Sequence, residues 1–433
     1  MSAPNAHSSV PVSEMPIVAS PLEAEQIAQL FDRLRRIDGV DMRQARVVRA
    51  PLRISPLGAH IDHQLGIVTG MTIDRAILLA FVPAADGRIR MESLNFAEPA
   101  SFDLGDIPPA RKGDWANYVR GAALALQQRH ALRRGLTGVV GGSMPIGGLS
   151  SSAAVTIAYL LALEAIHDLA VDAYENVELC RFSENRYIGL NNGILDQSVI
   201  LHSAQEHLTR IDCQSVEVER VPVGLDAASL RRRFEILAVY SGVSQGLVGT
   251  DYNNRVAQCR SAAEQMLAQA GLPIPADARL RHVPEEVYAA YGARLDAPLQ
   301  RRARHFFGEM ARVHAGVEAW QAGDLVRFGE LVTASGESSI RWYESGSPQL
   351  ITLYETLAQT PGVYGTRFSG AGFRGNCIAL IDPAYRESIA AAVHAVYPKA
   401  HPQEAAAYSI HFCRPDGRAG LIPAATPEMP SRE

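Results

Sequence analysis

Cysteine is scarce: Cys180, Cys213, Cys259, Cys377 and Cys413 are scattered, odd in number and without paired metal spacing. They argue against a disulfide scaffold or a structural zinc and point to reduced thiols in a cytoplasmic protein. No His-x-x-x-His pair flanked by acids occurs, which removes the common metalloenzyme signature. No apolar run is long enough to span a membrane. The most apolar helix candidate, residues 153–166, is short and carries Glu164. The first residues lack a basic start and a long apolar stretch, so no signal peptide is expected. Long runs of one charge are missing too. The clusters Arg231-Arg232-Arg233 and Arg301-Arg302-Ala303-Arg304 are short and the formal charge is −5, so they read as solvated helix faces and no nucleic-acid partner is expected. There is no Gly-x-x-x-x-Gly-Lys-Ser/Thr loop, no His-Arg-Asp loop and no Gly-x-Ser-x-Gly elbow. That excludes a Walker-type nucleotide site, a protein-kinase catalytic loop and an α/β-hydrolase nucleophile.

What is present is a globular composition, 47% apolar and 20% charged, in a chain of 433 residues. That length predicts two domains. Helical spacing is clear at 22–37, 114–134, 153–167, 172–185, 253–270 and 300–322. Short apolar runs bounded by turn residues read as strands at 46–50, 76–82, 89–94, 136–142, 235–240, 363–368, 377–381 and 407–412. The class is α+β, without an internal repeat. The stretch 216–229 is the least structured connection, which sets expected domains at 21–222 and 223–415 with loose tails at 1–20 and 416–433.

The strongest local signal is Pro145-Ile146-Gly147-Gly148-Leu149-Ser150-Ser151-Ser152-Ala153-Ala154, between an expected strand and an expected helix. Glycines permit a tight turn and close backbone approach to a ligand. A helix starting at the serines presents unpaired N–H groups at the positive end of its dipole, an arrangement suited to a polyphosphate. The competing reading is an ordinary helix cap, since serine is a favoured cap residue.

Read with three further segments, that turn resembles the GHMP kinases, the galactokinase-like group in particular. The first segment is Ala50-Pro51-Leu52-Arg53-Ile54-Ser55-Pro56-Leu57-Gly58-Ala59-His60-Ile61-Asp62-His63, similar to the family's sugar-binding signature. The second runs from Glu184 to Gly193-Ile194-Leu195-Asp196-Gln197. The third is Ser369-Gly370-Ala371-Gly372-Phe373-Arg374-Gly375. All occur in family order. The resemblance implies a two-domain GHMP kinase fold with the active site between the domains, ATP and Mg²⁺ as cofactors, and a small-molecule sugar as the other partner. Oligomeric state leaves no mark in the sequence.

The resemblance also implies roles. Asp196 corresponds to the catalytic aspartate, which takes or orients the proton of the attacking hydroxyl. Arg53 corresponds to the catalytic arginine, which keeps that carboxylate ionised and stabilises charge on the phosphoryl group. Glu184 and Ser152 are the expected Mg²⁺ ligands, hard oxygens suited to that ion. Pro145, Gly147, Gly148, Leu149, Ser150, Ser151, Ser152, Ala153, Gly370 and Gly372 are expected around the nucleotide. Ala59, His60, Asp62, His63, Tyr252 and Arg374 are expected around the sugar.

Galactokinases read Gly-Glu-His-x-Asp-Tyr in the first segment. Here Asp62 is retained, Ala59 replaces the glutamate and His63 the tyrosine. A glutamate beside C6 repels a uronic acid, whose C6 is itself a carboxylate. Alanine removes the repulsion, and Arg374, with weaker support His63 or Arg181, stands as a donor for the substrate carboxylate. These changes are similar to plant galacturonokinases and favour D-galacturonate phosphorylated at its C1 hydroxyl. The alternatives are galactose as substrate, a GHMP kinase for a non-sugar, and a sensor that binds sugar and ATP without turnover.

Overall fold

The structure, a computed structural model, describes residues 23–144, 147–190, 192–243, 252–370, 372 and 374–423, the Tyr252 side chain excepted. Its first run comprises α1 (Ala24–Leu34), β1 (Arg46–Ile54), β2 (Ile67–Ala84), β3 (Arg88–Ser93), β4 (Ala100–Asp103), α2 (Asn117–Gln127), β5 (Gly135–Gly142), α3 (Ser151–His167), α4 (Ala173–Phe182), α5 (Leu195–His202), β6 (His207–Asp212) and β7 (Glu217–Pro222). The second comprises α6 (Ala227–Arg233), β8 (Glu235–Tyr240), α7 (Tyr252–Gln269), α8 (Glu285–Tyr291), α9 (Ala297–Gln321), α10 (Leu325–Arg341), α11 (Pro348–Ala358), β9 (Val363–Phe368), β10 (Asn376–Ile381), α12 (Arg386–Ala400), β11 (Ser409–Cys413) and β12 (Gly420–Ile422).

Two sheets organise these elements into a two-domain α+β fold. The larger runs β12-β1-β2-β5-β3-β4, with β6 joined to β2 and β7 to β6. The smaller runs β11-β8-β10-β9. β3 and β5 pair in parallel across α2, whereas the smaller sheet is antiparallel throughout. β2 is long because it serves two partners in succession, β6 along 67–70 and β5 along 77–84. β8 and β10 are apolar without alternation because both of their faces are covered.

α3 is apolar all round and buried along nearly its whole length, as a helix at the centre of a core must be. Its exception is Glu164, fully buried, whose Oε2 accepts a 3.4 Å hydrogen bond from Asn176 Nδ2 on α4. Burial pushes this carboxyl from 4.5 to about 8.

Two expectations need correction. The stretch 216–229 is ordered: it contains β7, paired along its length with β6, and the start of α6. Residues 416–423, expected in a loose tail, instead return to the larger sheet. Asp416 N donates to Thr72 O, Ala419 N donates to Ile200 O, and β12 pairs with β1. The cause is electrostatic as well as geometric. The buried Arg49 guanidinium reaches Glu23 at 2.7 Å and Asp416 at 2.6 Å, so the return segment satisfies a charge that the sheet encloses. No helix among the described residues is long and apolar enough to cross a membrane, and all five cysteines are buried and unpaired.

Glu164 gives a stability prediction. Its folded pKa lies above its unfolded one, so the carboxyl costs nothing below about pH 4.5, and stability is lost as pH rises towards 8. Glu164→Gln is therefore expected to raise Tm at pH 8 by several degrees, on the order of a few kcal/mol, and to leave Tm unchanged at pH 4.5. Thermal scans across that range check it, and a pH-independent difference would show that the carboxyl is not neutral in the fold.

Candidate active site

The Gly-Ser turn is not an ordinary helix cap. Ser150 precedes α3 in the left-handed conformation, φ +60°, and its hydroxyl makes no bond to the helix. It donates instead to Asp196 Oδ2 at 2.5 Å. The N–H groups of Ser151, Ser152 and Ala153 have no acceptor among the described residues. They are the open donors that a helix start offers to an anion.

The turn is pressed against the loop after β9. A Cβ on Gly148, whose φ is +72°, would lie 2.7 Å from Ser369 O, and one on Gly375 would lie 2.5 Å from the Gly147 carbonyl carbon. Asn376 Nδ2 donates to Gly147 O at 2.6 Å and fixes the contact. Gly370 touches Gly148 directly, whereas Gly372 packs on Phe368 and Ser345 at the far side of its loop. Pro145 lies outside the described residues.

Asp196 sits in the first turn of α5. Arg53, buried at the end of β1, donates to its Oδ1 through Nε at 2.9 Å and Nη2 at 2.6 Å. Arg53 also reaches Ser369 Oγ at 3.4 Å, and its backbone N–H donates to Leu149 O at 3.2 Å. One guanidinium thus ties the carboxylate to both glycine loops. Asp62 lies beside this pair. Position 193 must be glycine, since a Cβ there would collide with the Asp62 carboxylate. Burial, and then the charge of Asp196, push Asp62 up to about 6.

Glu184 lies where α4 widens into a π-helical turn, Ser183–Ile188, a form that recurs at functional sites. Its Oε2 accepts from Gln197 Nε2 at 2.6 Å and from Asn192 Nδ2 at 3.5 Å, while Oε1 is buried without a hydrogen-bond partner. The Ser152 hydroxyl acts on the same carboxylate. Burial and Asp196 raise Glu184 to about 7. A half-satisfied carboxylate next to a hydroxyl at a helix start is a hard-oxygen donor set that fits Mg²⁺.

The expected sugar-binding turn is buried. Gly58 N and Ala59 N donate to Glu309 Oε1 at 2.8 and 3.1 Å, and His305 Nε2 meets Ala59 O at 2.8 Å. His60, left-handed at φ +57°, stacks parallel on Tyr343 with 4.2 Å between ring centroids. His63 has both ring nitrogens engaged, Nε2 by Tyr343 Oη at 3.1 Å and Nδ1 by Gln64 Nε2 at 2.9 Å. Burial drives it to about 3, so it is neutral and packed. Burial raises the Tyr118 phenol on α2, Glu184 adds to this, and the Arg374 charge opposes it. Arg181 pairs with Glu178 on the outer face of α4. The Tyr252 side chain is outside the described residues.

Several residues at this site escaped sequence reading. Gln197 holds the Glu184 carboxylate from the residue next to Asp196. His305 and Glu309 sit four apart on α9, so their shared face was legible although their target was not.

Comparison with known proteins agrees with this arrangement. The family model for the GHMP kinases N terminal domain matches residues 117–204, and that for the GHMP kinases C terminal matches 317–399. A galacturonokinase from Arabidopsis thaliana is 43% identical over 87% of this chain and 93% of its own length. A galactokinase from Chloroflexus aurantiacus is 32% identical over 80% of this chain and 87% of its own. The crystal structure of Lactococcus lactis galactokinase complexed with galactose superposes with a TM-score of 0.82 at 29% identity, covering 91% of this chain and 99% of that one.

The contact between the two glycine loops yields a prediction. Gly148→Ala strains a positive φ and drives a methyl into the Ser369 carbonyl. The rise in Tm on adding Mg-ATP is expected to shrink towards zero, with only a few degrees lost from the unliganded protein. An unaltered ATP response would show that the loops do not form one cradle.

Proposed function

The chain belongs to the GHMP kinase family, and from that premise we propose that it is a cytoplasmic, ATP-dependent sugar 1-kinase converting D-galacturonate to D-galacturonate 1-phosphate and ADP. The observation that carries the kinase reading is the meeting of Arg53, Asp196 and Ser150, because it sets a carboxylate at the edge of a phosphate cradle.

In this reading the phosphates of ATP lie on the open N–H groups of Ser151, Ser152 and Ala153, between the glycine loops. The anomeric hydroxyl of the sugar approaches Asp196, which accepts its proton as the new O–P bond forms and the bond from the γ-phosphorus to the bridging oxygen breaks, leaving ADP. Arg53 holds Oδ1 and Ser150 holds Oδ2, so the base cannot rotate away. Arg53, reaching Ser369 as well, also offsets charge on the transferring group. Glu184 and Ser152 would hold Mg²⁺, which would supply neutralisation of phosphate charge. Asp62 and His60 orient the ring hydroxyls. Buried, unpaired thiols support the cytoplasmic assignment.

Galacturonate is favoured over other sugars by two facts. Ala59 is small, buried and uncharged where galactokinases carry a glutamate, and the 43% identical relative is a galacturonokinase. Galactose is the second reading, supported by the retained Asp62 and by the galactokinase relatives.

ADP release from Mg-ATP with D-galacturonate, D-glucuronate and D-galactose in parallel tests the substrate. Galacturonate is expected to give the highest kcat/KM; a preference for galactose keeps the kinase and removes the uronate. Asp196→Asn is expected to lower turnover by about a thousandfold or more while the protein still binds ATP. Ala59→Glu is expected to depress galacturonate turnover more than galactose turnover. Equal losses would count against the charge argument.

A further inference from the structure

Below the sugar-binding turn lies a buried charge cluster that the chemistry above does not use. Glu309, fully buried on α9, accepts on Oε1 from Gly58 N, Ala59 N and, at 2.5 Å, Ser335 Oγ. Its other oxygen accepts from Arg312 Nε at 2.8 Å, and Arg312 Nη2 lies in ion-pair contact with it at 2.7 Å. Arg367 on β9, equally buried, comes within 4.0 Å of Oε1. Its hydrogen bonds go to neutral acceptors: Ser335 Oγ at 3.0 Å, Phe368 O at 3.0 Å and Pro56 O at 3.5 Å.

One carboxylate therefore faces two guanidiniums. Burial alone would raise Glu309, but the Arg312 and Arg367 guanidiniums and the Ser335 hydroxyl overcome it and hold the carboxylate at about 2. Arg367 is lowered by burial to about 10 and stays protonated at neutral pH. The other cation acting on it, Arg53, is matched by Asp196. His305 is pushed to about 4 by burial and adds no charge. The cluster carries one positive charge in excess, hydrogen-bonded through Glu309 to the backbone of Ala59.

We infer that the Arg312–Glu309–Arg367 cluster is a specificity determinant that favours an anionic sugar, its excess positive charge being balanced by the substrate carboxylate bound at Ala59. This deepens the uronate reading and rests on it. The cluster acts through the turn and not by touching the sugar, so its members are positioning residues. A buried charge left without its counterpart is unfavourable. Where galactokinases place a glutamate in the turn, the counter-charge belongs to the protein; with Ala59 it arrives with the substrate.

Arg312 is the member to change, because its side chain is 18% exposed and the Glu309–backbone bonds do not need it. Arg312→Gln leaves Glu309 and Arg367 as a neutral pair. The ratio of kcat/KM for galacturonate to that for galactose is expected to fall roughly tenfold, chiefly through the KM for galacturonate, with the KM for ATP unmoved. Arg312→Lys, which keeps the charge, is expected to restore the ratio. Ligand-induced Tm shifts with the two sugars read the same ratio without turnover. A ratio unchanged in Arg312→Gln overturns the inference, whether both activities fall together or neither does. A wild-type preference for galacturonate that survives the substitution sinks the cluster alone. A wild type that prefers galactose sinks the substrate reading and the inference with it.

Discussion

Three loops from distant parts of the chain converge on one carboxylate. Asp196 accepts from Arg53 on one oxygen and from Ser150 on the other, at 2.6 and 2.5 Å. Arg53 is nearly enclosed and has no solvent to turn to, so its charge requires a fixed anion. That requirement sets the end of β1 against the start of α5. The serine then sets the start of α3 against the same point, and the helix can begin only from a left-handed residue. The glycine contacts follow, since the loop after β9 can approach Ser150 this closely only if neither side carries a Cβ. Charge pairing at one atom pair thus dictates backbone geometry across both sheets.

Much of this was legible because the chemistry is carried by residue types with few other uses at such spacing. A glycine pair before three serines, and an aspartate three residues after a glycine, are written in the sequence. The strands β5, β8, β9 and β10 were legible as well, being runs of strand length bounded by turn residues. α10 was not, for a physical reason. Its buried face mixes Leu325, Phe328, Leu331 and Val332 with Gly329, Ser335, Gly336, Ser338 and Ser339, and the two glycines bring its backbone close to β9. The glycines and serines are poor helix formers by propensity, and only tertiary contact explains them. α5 is eight residues long and buried on nearly every side, so it has no periodicity to read. β12 is three residues, too short for any pattern.

The pocket for the sugar shows where reading by residue type stops. His63 stands in a binding motif and is nevertheless committed to Tyr343 and Gln64. Arg374 is a cation in a binding loop whose charge is felt at Tyr118. Glu309 lies some 250 positions away from Ala59 along the chain and yet holds its N–H. Which side chain serves a ligand and which serves the protein depends on partners brought in by folding, and motif matching has no access to them.

The return of residues 416–422 to the larger sheet has a consequence for biosynthesis. The first unit's edge strand β1, the buried Arg49 and the carbonyl of Ile200 all receive partners from a segment translated after the whole second unit. On the ribosome the first unit therefore waits, one sheet edge open and one guanidinium half-matched, while roughly half the protein is still being made. An unpaired edge is the part of a nascent chain most exposed to mispairing. The final strand closes that edge, so the domain begun first is finished last.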